Sequence, residues 1–158
     1  MMKTNASVSS GQGAIKKLRD IQARIASQKE VLVGLPAASG QHPKSDLSIV
    51  QIGAMNEFGT KHIPERSFLR VPLRAAQPEF DAMFKKLIPR VIEGDMTFVQ
   101  MLDMIGAKAA SVSQEAISAG INPPNAPSTI ARKGSSKPLI DTGRLRQAIT
   151  WVISDKGI

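Results

Sequence analysis

The chain has 158 residues, 42% of them hydrophobic, which suits one domain with an apolar core and excludes a disordered polymer. It contains no cysteine, which rules out disulfides, thiolate catalysis and thiolate-held zinc, and no apolar run approaches the length that spans a bilayer. Twenty-one basic residues against thirteen acidic ones give a net charge of +8, which points to a polyanion or an acidic protein surface as partner.

Residues 1–13 are rich in Ser and Gly and lack the apolar stretch of a signal peptide, so they are expected to form a flexible N-terminal arm on a cytosolic protein. Residues 14–158 are expected to form a single domain. Aromatics are scarce, at five Phe and one Trp, so aliphatic side chains and seven Met must fill its core. Ile15, Leu18, Ile21 and Ile25 recur at helical spacing with Lys16, Lys17, Arg19 and Arg24 between them, predicting a basic amphipathic helix. A short strand over Glu30–Leu35 follows, closed by Pro36, and then a loop of small and polar residues from Ala37 to Ser45. Over Leu47–Phe58 the pattern favours a short helix stopped by Gly59.

Pro78 suits the first turn of a helix whose stripe runs through Phe80, Met83, Phe84, Leu87, Ile88, Val91 and Ile92. Pro89 lies inside it and removes the bond to the Lys85 carbonyl, which predicts a kink or break. Thr97 and Gln100 have capping-box spacing. They open a helix from Phe98 to Ala119, about 33 Å long at 1.5 Å per residue, which Gly120 ends. From Ile121 to Ile140 there is no helical or strand period, and four prolines forbid long regular structure. The stretch 120–138 is therefore expected to be an extended, Pro-stiffened interaction loop. Asp141 or Thr142 is placed to cap a short helix through Gln147, and Ala148–Ile153 reads as a closing strand. The fold class that results is α+β, a small sheet packed with two or three main helices.

Leu139-Ile-Asp-Thr-Gly143 has the form of an aspartic protease loop, in which two Asp carboxylates share a proton. Arg144 stands where those enzymes keep a small residue, and the chain after Gly143 is too short for the rest of a protease lobe. His42 and His62 have no ligand spacing around them and read as solvated loop residues, with no metal or cofactor expected. The glycine-rich stretches lack the strand and the lysine of a phosphate loop, and no Ser or Thr sits in a nucleophile elbow. A nucleic-acid-binding module would use Lys16, Lys17, Arg19, Arg24, Arg132, Lys133 and Lys137, but stacking aromatics and a reader motif are missing.

A different set of residues forms an ordered series. Asn56-Glu-Phe-Gly-Thr60 is a helix end with a Gly turn, and Ile63-Pro-Glu-Arg-Ser-Phe-Leu-Arg70 is an extended entry into an aromatic anchor at Phe68. Arg66 is placed to pair bidentately with a carboxylate, Glu57 being the candidate. Pro123-Pro-Asn-Ala-Pro-Ser-Thr129, Lys133-Gly134 and Pro138-Leu-Ile-Asp-Thr-Gly-Arg-Leu-Arg146 follow. In this order, from about Val50 to Val152, the segments resemble the phage tail-completion family, which includes the lambda-type minor tail protein Z and the Mu-type virion morphogenesis proteins. Ser67 departs from the pattern, since relatives often carry a second proline there.

The resemblance implies a structural virion protein, not an enzyme, located at the neck between head and tail and present in the host cytoplasm during assembly. Its implied partners are other neck or connector proteins, tail terminator or tail tube proteins, and further copies of itself in a hexameric or dodecameric ring. Non-specific contact with packaged DNA is a further possibility, and no membrane is involved. The residues expected at subunit or partner interfaces are Asn56, Glu57, Phe58, Gly59, Arg66, Phe68, Asn125, Arg132, Lys133, Asp141 and Arg144.

Overall fold

A computed structural model describes residues 9–26, 29–43 and 46–155. In chain order the elements are α1 (Ser9–Ile25), β1 (Lys29–Gly34), a 3-10 turn over Ala37–Ser39, α2 (Ile49–Phe58), α3 (Arg70–Ala75), α4 (Gln77–Glu93), α5 (Phe98–Ala119), α6 (Pro127–Lys133), α7 (Arg144–Ala148) and β2 (Thr150–Asp155). This is an α+β fold, with helices around one antiparallel pair of strands that runs from Lys29 opposite Asp155 to Gly34 opposite Thr150.

The long helix α5 organises the rest, and its start follows the expected chemistry. Thr97 Oγ1 accepts from the Gln100 N–H at 3.1 Å, and Gln100 Oε1 accepts from the Thr97 N–H at 2.8 Å. Two otherwise unpaired amides are satisfied reciprocally. Toward its N-terminal end α5 packs on α4 through Met101, Leu87 and Val91, with Met83, Ile88, Met96, Phe98, Leu102 and Ile105 around them. Met101, with no exposed surface, lies deeper in this cluster than Leu102. Toward its C-terminal end Ala110 and Ile117 meet Ile49, Phe68, Leu145 and Ile149 in a second cluster.

The strand pair lies on α5 with one face. Val33 and Trp151, opposite each other in the register, pack against the second cluster, while their neighbours Leu32 and Val152 point to solvent, as the period of two requires. Gly106 allows the close approach of the indole. A Cβ there would stand 2.4 Å from Trp151 Cδ1, and the ring nitrogen donates to Asp103 Oδ1 at 2.8 Å.

Several expectations change. Helix α1 begins at Ser9, so residues 9–13 of the expected arm are helical, and residues 1–8 lie outside the described residues. Its apolar stripe finds little cover: Ile15, Leu18 and Ile25 are exposed, and Arg24 reaches the body by donating to the Ile92 carbonyl at 2.8 Å. Helix α4 runs unbroken through Pro89, because Pro89 and Lys85 lie on its exposed side, where water can take the carbonyl that the proline leaves unbonded. The segment 120–138 is not all loop. Pro127 opens α6, and Gly134, left-handed at φ 70°, closes it. Seven residues are too few for a helical period to register in the sequence.

Helix α7 starts after Gly143, which occupies the N-cap position at φ 76°, so neither Asp141 nor Thr142 is the cap. The closing strand is displaced by two residues at each end, to Thr150–Asp155.

Candidate functional site

The site is built outward from the end of α2. Its capping box, Ser48 with Gln51, fixes where the helix starts, and Gly59 at φ 73° ends it. Glu57 therefore sits in the last turn with its side chain turned inward, 3% exposed. Its carboxylate accepts from five donors. Ser67 Oγ donates at 2.7 Å, the N–H groups of Phe68, Leu69 and Arg70 at 2.8, 3.0 and 3.0 Å, and Arg70 Nε at 3.0 Å. Burial pushes this carboxyl's pKa up. The bonds from Ser67 and from the Arg70, Leu69 and Phe68 amides together outweigh it and hold the pKa below the ordinary value.

The carboxylate also sits at the N-terminus of α3, where the helix dipole favours negative charge. Arg70 extends the network by donating from Nη2 to the Glu57 carbonyl and to Glu65 Oε1, both at 2.8 Å, while its guanidinium lies 4.5 Å from the centre of the Phe58 ring.

Arg66 does not pair with Glu57 as expected. Its backbone N–H donates to the Asn56 carbonyl at 2.7 Å, while Nε donates to the Pro123 carbonyl at 2.7 Å and Nη2 to the Pro124 carbonyl at 3.0 Å. Burial lowers its pKa, yet a guanidinium stays charged in proteins, so two carbonyls of a distant loop are held by a cation. Farther along, Asn125 Nδ2 donates to the Ser136 carbonyl at 3.3 Å and bridges the two ends of the α6 segment.

These clamps bring four separated stretches to the walls of one cleft of about 830 Å³. Asn56 belongs to the first stretch, and Ile63, Pro64 and Arg66 to the second. The third supplies Pro124, Asn125, Ala126, Thr129, Arg132 and Lys133, and the fourth Leu139, Asp141, Thr142, Gly143, Arg144 and Leu145. Leu47, Ile49 and Ile52 complete the apolar part. His42 and His62 also line the cleft: His62 is an exposed loop residue as read from the sequence, whereas His42 is half-buried with Nε2 3.7 Å from Asp141 Oδ2, which corrects its reading as solvated.

The expected interface residues thus fall into two groups. Asn56, Arg66, Asn125, Arg132, Lys133, Asp141 and Arg144 line the cleft, and Phe58 is exposed beside Arg70. Phe68 and Glu57 are interior. Phe68 is 1% exposed and accepts the Ser113 hydroxyl on its carbonyl at 2.8 Å, so it anchors the core instead of a partner. Gly59 serves the turn, since a Cβ there would stand 3.0 Å from the Glu65 nitrogen. Ser67 has a structural use: its hydroxyl donates to Glu57 and accepts from the Val71 N–H at 3.1 Å.

Arg70 and Ser113 were missed by sequence reasoning. The sequence carries no signal for Arg70, because no apolar period announces the six-residue helix that it opens. Among the described residues no group of three or more His, Asp or Glu is arranged to hold a metal ion, and no helix is long and apolar enough to cross a membrane. No family model, curated protein or solved structure matches this chain.

Proposed function

We propose that this protein is a structural component of a tailed-bacteriophage particle, a tail-completion protein of the neck that joins tail to head through contacts rather than chemistry. The observation that supports this reading most is the convergence of the resemblance-bearing segments. The Asn56 corner and the Ile63–Arg66 entry lie far in sequence from the Pro124–Lys133 and Leu139–Leu145 stretches, yet all four line one cleft. Residues that share a surface in this way are suited to meeting a common partner, and clamped walls lose little entropy on docking. In this reading the partners are connector, tail terminator or tail tube proteins and further copies of the chain in a ring. Exposed Lys16, Lys17 and Arg19 on α1 are available for non-specific contact with packaged DNA.

The test replaces Pro127–Lys133 with a Gly/Ser linker of equal length. None of these residues is fully buried, so the melting transition should stay nearly intact. In a phage carrying the change, filled heads and separate tails should accumulate. Normally joined particles would overturn the reading.

A further inference from the structure

The cleft has a composition that selects its occupant. Arg132 and Lys133 close α6 on one wall, and Arg144 opens α7 on another. Of these cations Arg132 and Arg144 are exposed, and the described lining contains one carboxylate, Asp141, which stands 3.7 Å from His42. Between the charged walls the surface is aliphatic, with Ile52, Ile63 and Leu139 half-buried at the cleft. We infer that the cleft binds an extended segment of a partner protein in which carboxylates flank aliphatic side chains. The inference rests on the neck reading only for the source of that segment, a neighbouring virion protein.

Three observations favour a peptide over nucleic acid. The described lining contains no Phe, Tyr or Trp, and its flat rings are the imidazoles of His42 and His62, the first half-buried beside Asp141, so a run of unpaired bases would find little to stack on. A duplex presents its phosphates on a convex surface, which a concave cleft of about 830 Å³ does not admit, whereas that volume lies in the range of sites that enclose ligands. The aliphatic floor would add nothing to phosphate binding, yet it matches leucine or isoleucine side chains alternating with acids along a strand. Arg66 fixes the Pro123–Pro124 wall before any ligand arrives, so binding does not have to order it.

The experiment measures fluorescence anisotropy of a short labelled peptide of alternating leucine and glutamate on the full chain. Three other probes run beside it: the same peptide with glutamine for glutamate, the same peptide with serine for leucine, and a labelled DNA duplex. The expected result is saturable binding of the leucine–glutamate peptide, about tenfold tighter than either altered peptide. In the double variant Arg132→Glu/Arg144→Glu that preference should vanish while the melting transition stays put, because both side chains are exposed. The neutral pair Arg132→Gln/Arg144→Gln should fall between.

Equal affinity for the glutamine peptide, or binding that the charge reversals leave unchanged, overturns the inference. So does tighter binding of the duplex that the same substitutions abolish, which would assign the cleft to nucleic acid. The two readings fail separately. Selective peptide binding by a protein whose double variant still joins particles normally upholds this inference and overturns the neck role. Failed joining without peptide selectivity does the reverse.

Discussion

The two ends of α5 are held by different physics. At the N-terminal end, Met101 packs between Leu87 and Val91, and every partner in that cluster is apolar. At the other end the Phe68 corner is also apolar at its centre, but its shape is set by a buried carboxylate and a hydroxyl. Glu57 gathers three consecutive backbone amides, and Ser113 takes the Phe68 carbonyl. The first arrangement tolerates any side chains of the right volume and polarity. The second demands particular donors and acceptors, because a buried polar group without its partner costs far more than a slightly misfitting methyl.

Substitutions at three positions sharpen this contrast. The largest effect is expected from Glu57→Ala, about 3–5 kcal/mol in a denaturant titration, since five donors lose their acceptor, among them three consecutive backbone amides at the packed corner, while Arg70 keeps its pair with Glu65. Glu57→Gln should recover little of that loss, because the amide NH2 would face donors. At the N-terminal end of α5 Met101→Ala should cost about 2–5 kcal/mol through loss of buried contacts. There, unlike at the corner, the shape-conserving Met101→Leu should recover most of the loss, leaving less than about 1.5 kcal/mol. If Glu57→Gln proves as mild as Met101→Leu, the two ends do not differ in kind. The smallest effect belongs to Lys108→Ala, whose 3.0 Å pair with Glu79 lies in solvent, and its unfolding curve should overlay the parent's.

The same contrast explains how much could be read from the sequence. Helix α5 has its observed boundaries in the capping box and in Gly120, and the α4 stripe is visible because both rest on repeating apolar side chains. Gly59 as the stop of α2 is legible for the same local reason. Glu57 was singled out, but its partner was not, since a carboxylate that binds main-chain N–H groups leaves no trace in the types of residue around it. Arg66 was given the wrong acceptor for that reason as well: its partners are carbonyls fifty-seven and fifty-eight positions away. The cleft itself was only partly legible. Arg132, Lys133, Asp141 and Arg144 stand out in the sequence, whereas His42 and His62 come to the same cleft through tertiary folding alone.

The most direct measurement of the claim that a buried carboxylate holds the corner is amide hydrogen exchange as a function of pH. Folding depresses the Glu57 pKa, so its contribution to stability is complete above the pKa of the unfolded carboxyl and is lost as pH falls through the lower, folded value. The amides of Phe68, Leu69 and Arg70 should therefore show protection factors close to those in the middle of α5 at neutral pH. As pH drops through the depressed pKa they should lose that protection ahead of α5. Amides at these three positions that exchange at neutral pH like those of an exposed loop would contradict the account.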